Sequence, residues 1–187
     1  PPEIAASHSF FDFGGRTEQL PPRPEDLGRR WRAWLFVGGR GAGKTRAGAE
    51  WVRGLALGFS DFAYGKIGRI ALVGETWAEA RDVMVEGVSG VLAAHGKWDR
   101  PDWEVSKRKL TWRNGAVAQV FSAEDPESLR GPQFSAAWCD GLAKWRHAEA
   151  TFDMLQFGLR LGERPRQVVT TTPRPIALLR KLIGDPS

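Results

Sequence analysis

The chain has 187 residues, and 27 Lys and Arg against 22 Asp and Glu give it a net charge of +5. That length allows one domain with a sizeable core, while a lone Cys139 excludes an internal disulfide, fits a reducing cytoplasm and, with three scattered histidines, makes no metal-ligand cluster. No apolar run approaches the roughly 20 residues that cross a bilayer, residues 1–7 lack the regions of a signal peptide, and the charge suits a polyanion such as DNA only weakly.

Residues 1–30 read as an extended arm, broken by Pro21, Pro22 and Pro24, with Phe10, Phe11 and Phe13 as candidate anchors to the body. The core is expected over 31–187. Trp34, Leu35, Phe36 and Val37 form a short apolar run ending in glycines, the pattern of a buried strand. Residues 44–57, rich in Ala, Arg and Glu, read as a helix, and 69–73 as a second buried strand. Thr76 and Glu79 have capping-box spacing and open a helix to about residue 94. A β-hairpin follows, with arms at 109–112 and 116–121 and Asn114-Gly115 near its turn. Residues 134–139 are a third buried strand, 145–160 a helix, 167–170 a fourth strand and 176–183 a last helix. This alternation predicts an α/β fold, a mainly parallel sheet with helices on both faces and ligands at the carboxyl ends of the strands. Most of the nine tryptophans are expected in the core rather than stacked on bases.

Gly38, Gly39, Arg40, Gly41, Ala42, Gly43, Lys44 and Thr45 fit G-x-x-x-x-G-K-[ST], with a strand before and a helix after. Phosphate oxygens need several donors converging on a small volume. Glycines let backbone N–H groups turn inward, and the helix N-terminus adds a favourable dipole. Lys44 supplies a mobile cation for the β- and γ-phosphates and the Thr45 hydroxyl a ligand for Mg²⁺, which makes ATP with Mg²⁺ the expected cofactor pair. Arg40 inside the loop can reach a γ-phosphate and offset charge developing there; its other reading is a surface ion pair or a DNA-phosphate contact.

The strand at 134–139 ends in Asp140, where P-loop ATPases hold Mg²⁺ through an aspartate; an ordinary strand-end turn is the alternative. Cys139 reads as a small buried apolar residue. ATPases of the additional-strand type carry a glutamate next, which orients and deprotonates the attacking water. Here that position is Gly141, which has no side chain. Glu75, after the second strand, is the nearest candidate by topology, though capping or pairing within its loop explains it as well.

Together these residues resemble the large terminase subunit, the DNA-packaging ATPase of tailed phages, in the version found in gene transfer agents and related prophages. Four segments carry the likeness: the loop 38–45 with Arg46 and the residues after it to Trp51; residues 123–131, which include Arg130; Trp138-Cys139-Asp140; and Thr170-Thr171-Thr172-Pro173. The resemblance implies a P-loop fold of the additional-strand class with the hairpin as an insertion. It implies that Lys44 and Thr45 hold phosphate and magnesium, that Asp140 holds magnesium, and that Arg40 is the loop arginine. It makes Arg130 an arginine acting on a neighbouring subunit's ATP, Thr171-Thr172-Pro173 the motif coupling hydrolysis to movement, and Gln19 part of an adenine-recognising segment. The implied partners are double-stranded DNA, a portal protein, a small terminase subunit and further copies in a ring, in the bacterial cytoplasm and transiently at the capsid portal, with no membrane. The family has Asp-Glu where this chain has Asp140-Gly141, so impaired hydrolysis is expected. It also continues into a lid and a ribonuclease-H-like nuclease domain, while this sequence stops soon after the coupling motif. Two rival readings stand beside this one: a helicase or recombination-type P-loop ATPase, and a nucleotide-binding assembly subunit without turnover.

Overall fold

The computed structural model describes residues 19–21, 31–59 and 68–184. The elements in chain order are β1 (Ala33–Val37), α1 (Lys44–Leu57), β2 (Arg69–Gly74), α2 (Trp77–Glu79), a π-helical segment Ala80–Val85, α3 (Val91–Ala94), β3 (Asp102–Glu104), β4 (Lys109–Thr111), β5 (Val117–Ser122), β6 (Ala136–Asp140), α4 (Ala148–Gly158), β7 (Arg166–Thr171) and α5 (Ala177–Ile183). Short 3₁₀ turns at Val105–Lys107, Pro126–Leu129 and Leu142–Lys144 complete the path.

One seven-stranded sheet runs through the molecule in the order β1-β7-β6-β2-β5-β4-β3. The first five strands are mutually parallel, and β5-β4-β3 is an antiparallel meander at the far edge. Parallel strands covered on both faces require continuous apolar runs, and Ile70, Ala71, Leu72, Val73, Ala136, Ala137, Trp138 and Cys139 are all essentially inaccessible. Alternate residues of these strands feed two cores. One gathers Ile70, Leu72, Ala136, Trp138 and Val168 under α1 and the 80–94 segment; the other gathers Ala71, Val73, Ala137, Cys139 and Val169 under α4 and α5. Five of the nine tryptophans, at 34, 51, 112, 138 and 145, are buried, and Trp98 is the one largely exposed.

Several expectations need correction. The helix expected from 77 to 94 is broken into α2, the π-helical segment and α3. Its Thr76 cap is real, accepting from Glu79 N at 3.0 Å, but at Gly87 and Gly90 the chain folds back so closely that a Cβ would stand 2.7 and 2.8 Å from carbonyl oxygens of the preceding turns. The hairpin forms as β4 against β5, and its second arm, β5, also pairs in parallel with β2 from Arg69↔Val117 to Gly74↔Ser122, which joins it to the main sheet. Its turn forms as expected, with Asn114 Oδ1 accepting from Ala116 N at 3.0 Å. The helix expected at 145–160 begins at Ala148, because Trp145 is tethered through Nε1 to the Asp140 carbonyl at 3.0 Å. The N-terminal arm and its phenylalanines lie outside the described residues apart from 19–21. Among the described residues no helix is long and apolar enough to cross a membrane.

Candidate nucleotide site

The loop after β1 is held to the sheet by Gly38 N, which donates to Thr171 O at 3.1 Å. Its turn depends on Gly41 and Gly43 at φ 76° and 81°, a left-handed conformation that a Cβ disfavours. Gly43 then caps α1, whose first turn carries no acidic side chain. The helix N-terminus therefore presents backbone donors with no internal anion competing for them. Lys44 Nζ folds back over the loop to donate to Gly38 O at 2.8 Å and Gly39 O at 2.6 Å. Partial burial lowers the pKa of this ammonium, against the opposing charge of Asp140. Gln19, nearly buried, donates from Nε2 to Gly43 O at 3.3 Å, so the chain upstream of β1 does reach the loop. Arg40 is exposed at the crest of the loop. Arg46 pairs with Glu50 at 2.6 Å. A cavity of about 640 Å³ opens beside the loop, lined by Gly43, Lys44, Thr45 and Arg46 on one side and by Asp82 and Val88 on the other.

Asp140 stands at the carboxyl end of β6, level with Thr170 on β7. A chain of hydrogen bonds fixes its carboxylate: Trp138 Nε1 donates to Thr170 Oγ1 at 2.8 Å, and Thr170 Oγ1 donates to Asp140 Oδ1 at 2.6 Å. Burial raises the Asp140 pKa, while the Thr170 bond and the ammonium groups of Lys144 and Lys44 work to keep it ionised. Trp138 lies against α1 at Gly48, where a Cβ would stand 2.2 Å from the indole. The next threonine, Thr171, is buried, and its hydroxyl accepts from Ala143 N at 2.9 Å, which ties β7 to the turn that follows Asp140. Cys139 is fully buried and burial pushes its thiol pKa far up, so it packs rather than reacts.

Gly141 adopts φ 70°, ψ 25°, and a Cβ added there would stand 2.9 Å from Lys144 Cε and 3.5 Å from its Nζ. Lys144 Nζ pairs with Glu75 Oε2 at 3.1 Å and, more closely still, with Glu79 Oε1. A lysine bridging two glutamates thus stands beside the position where a carboxylate was expected. Burial lowers the Lys144 pKa, but its bonds to Glu79 and Glu75 outweigh that and leave it raised. Sequence reasoning missed Lys144 and Glu79. The i,i+4 spacing of Asp140 and Lys144 was a signal, but the glutamate partners lie more than sixty positions upstream.

The structure thus gathers Gln19, the 38–46 loop, Asp140, Gly141 and Thr171 around the carboxyl ends of β1, β7 and β6. Arg130 is elsewhere, exposed after the 3₁₀ turn Pro126–Leu129, paired with Glu127 at 2.9 Å and beside a separate cavity lined by Met154, Phe157 and Arg160.

Residues 35–183 match the family model described as terminase large subunit, T4likevirus-type, N-terminal. A search of curated proteins gave no significant match. The large terminase ATPase domain of Thermus phage P74-26 superposes with a TM-score of 0.56 at 16% identity, covering 92% of this chain and 71% of that one. A mutant of the same domain gives 0.53 at 14% identity, with the same coverage. The large terminase of a thermophilic bacteriophage, solved in complex with ADP, gives 0.57 at 16% identity, and the match covers 82% of this chain but only 38% of that one. The strand leading into the glycine loop, β1, and the acid-bearing strand β6 are not neighbours but are separated by β7. With the matched segment spanning most of the sequence, the chain belongs to the large terminase subunit family, as its N-terminal domain.

Proposed function

We propose that this chain is the ATP-binding motor domain of a large terminase, which couples ATP hydrolysis to the translocation of double-stranded DNA into a capsid, and that hydrolysis is slowed by Gly141. The observation that carries the reading is the insertion of β7 between β1 and β6, which sets the Lys44 loop, Thr171 and Asp140 on adjoining strand ends. Backbone N–H groups of Gly39, Arg40, Gly41, Ala42 and Gly43 receive the phosphates, while Gly38, its N–H committed to Thr171 O, anchors the loop and Lys44 swings from the loop carbonyls onto the β- and γ-oxygens. Gln19 and Arg46 border the nucleoside side. The Thr45 hydroxyl and the Asp140 carboxylate are hard oxygen donors of the kind Mg²⁺ takes. Among the described residues no three His, Cys, Asp or Glu side chains gather around one point, and Thr45 and Asp140 are the residues that would hold a Mg²⁺ brought in with the nucleotide. When bound, it neutralises charge on the phosphoryl oxygens.

Arg40 acts in cis on the γ-phosphate. Arg130, exposed and paired with Glu127, acts on a neighbour's nucleotide in a ring of copies. Thr171 carries the state of the nucleotide pocket into the turn after Asp140 through its bond to Ala143 N. Double-stranded DNA, a portal protein and a small terminase subunit are the partners, met in the cytoplasm of a bacterial host and at the capsid portal. A second reading, a nucleotide-binding subunit without turnover, is favoured by Gly141 alone. Calorimetric titration with a non-hydrolysable ATP analogue and Mg²⁺, followed by turnover with and without DNA, tests both. Absence of binding at millimolar nucleotide overturns the motor reading, and binding without any turnover, even in assembled motors, favours the second.

A further inference from the structure

We propose that Glu75 is the general base of this site, taking over the role of the carboxylate missing at position 141, with Lys144 and Glu79 as the residues that position it. This rests on the ATP-hydrolysing reading above and names the group that activates water within it.

Three observations support the assignment. β2 runs parallel to and beside β6, with Val73 level with Cys139, so Glu75 emerges just past the strand end next to the one that delivers Asp140. Next, Glu75 and the side-chain position of residue 141 converge on one ammonium. Lys144 Nζ lies 3.1 Å from Glu75 Oε2 and 3.5 Å from the point where a Cβ at 141 would stand, so the two are no more than about 6.6 Å apart. Glu75 therefore borders the space that a side chain at 141 would enter. Finally, Glu75 is accessible and held: its side chain is 31% exposed, its carbonyl accepts from Ser122 Oγ at 3.3 Å, and Thr76, the next residue, caps α2.

The charges around it divide the labour between the two glutamates. The bond to Glu79 is the main influence holding the Glu75 carboxyl below its usual range, aided by Lys144 and Arg174, whereas burial raises Glu79. Glu75 therefore enters as the ionised acceptor. In the step proposed, a lone pair of the water oxygen forms a bond to the γ-phosphorus and one water proton passes to the Glu75 carboxylate. The bond from that phosphorus to the β,γ-bridging oxygen breaks, and its electron pair leaves with ADP. Glu75 then returns the proton to solvent. Lys144 does not touch the nucleotide in this scheme; it fixes the rotamer of Glu75 through their 3.1 Å ion pair.

The test uses the chain as it stands, with single-turnover ATP hydrolysis at matched Mg²⁺ and calorimetric affinity for a non-hydrolysable analogue measured in parallel. Glu75→Gln should lower the rate by about 10²-fold or more, the contribution of a positioned base, and leave the affinity within threefold. Glu75→Asp should keep more of the rate than the Gln form, and it serves as the second variant if Glu75→Gln fails to fold. Lys144→Arg should retain activity that Lys144→Met loses, which a purely structural ion pair in the loop would not produce without a matching fall in melting temperature. Unchanged hydrolysis in Glu75→Gln, or a wild-type rate no higher than that of Glu75→Gln, overturns the assignment of Glu75 while leaving nucleotide binding standing. Loss of analogue binding in the wild type overturns the motor reading itself.

Discussion

Replacing Gly48 by alanine adds a single methyl group in the middle of α1, and in an ordinary helix it would stabilise by about 1 kcal/mol. Here the opposite is expected. The new Cβ would stand 2.2 Å from Trp138 Cε2 and 2.4 Å from its Nε1, about 1.2 Å short of the 3.4 Å at which ordinary contact begins. The indole is fully buried between α1 and the sheet, so relief requires α1 to lift or the ring to shift within a packed core. Overpacking of this kind costs roughly 1–3 kcal/mol, and a clash with a ring flanked by backbone belongs at the upper end. For a domain of this size that corresponds to a melting temperature lower by roughly 6–12 °C. The displaced atom, Nε1, is also the donor that holds Thr170, which in turn holds Asp140. A metal-binding carboxylate that loses its outer support typically loses 10–100-fold in ion affinity, so Mg²⁺-dependent nucleotide binding should weaken within that range while Mg²⁺-independent binding changes less. Differential scanning fluorimetry and a Mg²⁺ titration of analogue binding read the two effects. A Gly48→Ala protein that melts at or above the wild-type temperature would refute the packing argument, and one that melts lower but binds Mg²⁺-nucleotide equally well would refute the link to Asp140.

Lys44→Ala should weaken binding of an ATP analogue at least tenfold by calorimetry, because it removes the cation that shuttles between the loop carbonyls and the phosphates. Gly141→Glu should raise single-turnover hydrolysis by up to about 10²-fold, short of the full value of a general base, because the left-handed backbone and the Lys144 side chain resist the new residue at a cost of about 1–2 kcal/mol; no gain even in assembled motors would count against the assignment of this position. His95 should make the fold acid-sensitive. Its ring accepts from Trp112 Nε1 at 2.9 Å and its Nδ1 lies 2.6 Å from Val91 O, an arrangement that needs the neutral imidazole. Burial is the main cause lowering its pKa to about 4, with Arg53 and Arg100 acting in the same sense against Asp99 and the Val91 bond. The unfolded chain therefore binds the proton first, so this contribution is complete above about pH 6.5 and is lost as pH falls toward 4, up to roughly 3 kcal/mol. Melting curves between pH 4 and 7 should show a shallower acid slope for His95→Gln than for the wild type.

Where local chemistry decided the outcome, the sequence was a good guide. α1 runs over the expected residues because Gly43 and Gly58, both left-handed, bound it at its two ends. The Thr76 cap and the Asn114 turn are side chains bonding to backbone three and two positions on, an arrangement the motif itself encodes. The glycine turn joining β1 to α1 was legible for the same reason. What escaped depended on distant partners or on departures from the ordinary period. Apolar spacing at 77–94 does not separate a continuous α-helix from one that widens into a π-turn and folds back at two glycines. β3 has three residues and no alternation to detect. The Glu75–Lys144–Glu79 bridge joins the ends of β2 and β6, and only the sheet order makes them neighbours. Gly48 lay within the segment after the loop that carries the family resemblance, but its reason, an indole from β6, was not legible.

The placement of β7 also governs the order in which the molecule can assemble. β1 is the earliest strand in the sheet and β7 the latest, yet among the described residues β7 is the strand to which β1 bonds, Ala33 opposite Gln167 and Val37 opposite Thr171. During synthesis β2, β5 and β6 can pair as they emerge, while β1 and the loop it carries must wait for almost the whole matched region to be made. Pairings of such long sequence separation close slowly, so the docking of β1 is the late event of folding. The 38–45 loop and Asp140 come to lie at adjoining strand ends in that same closing step.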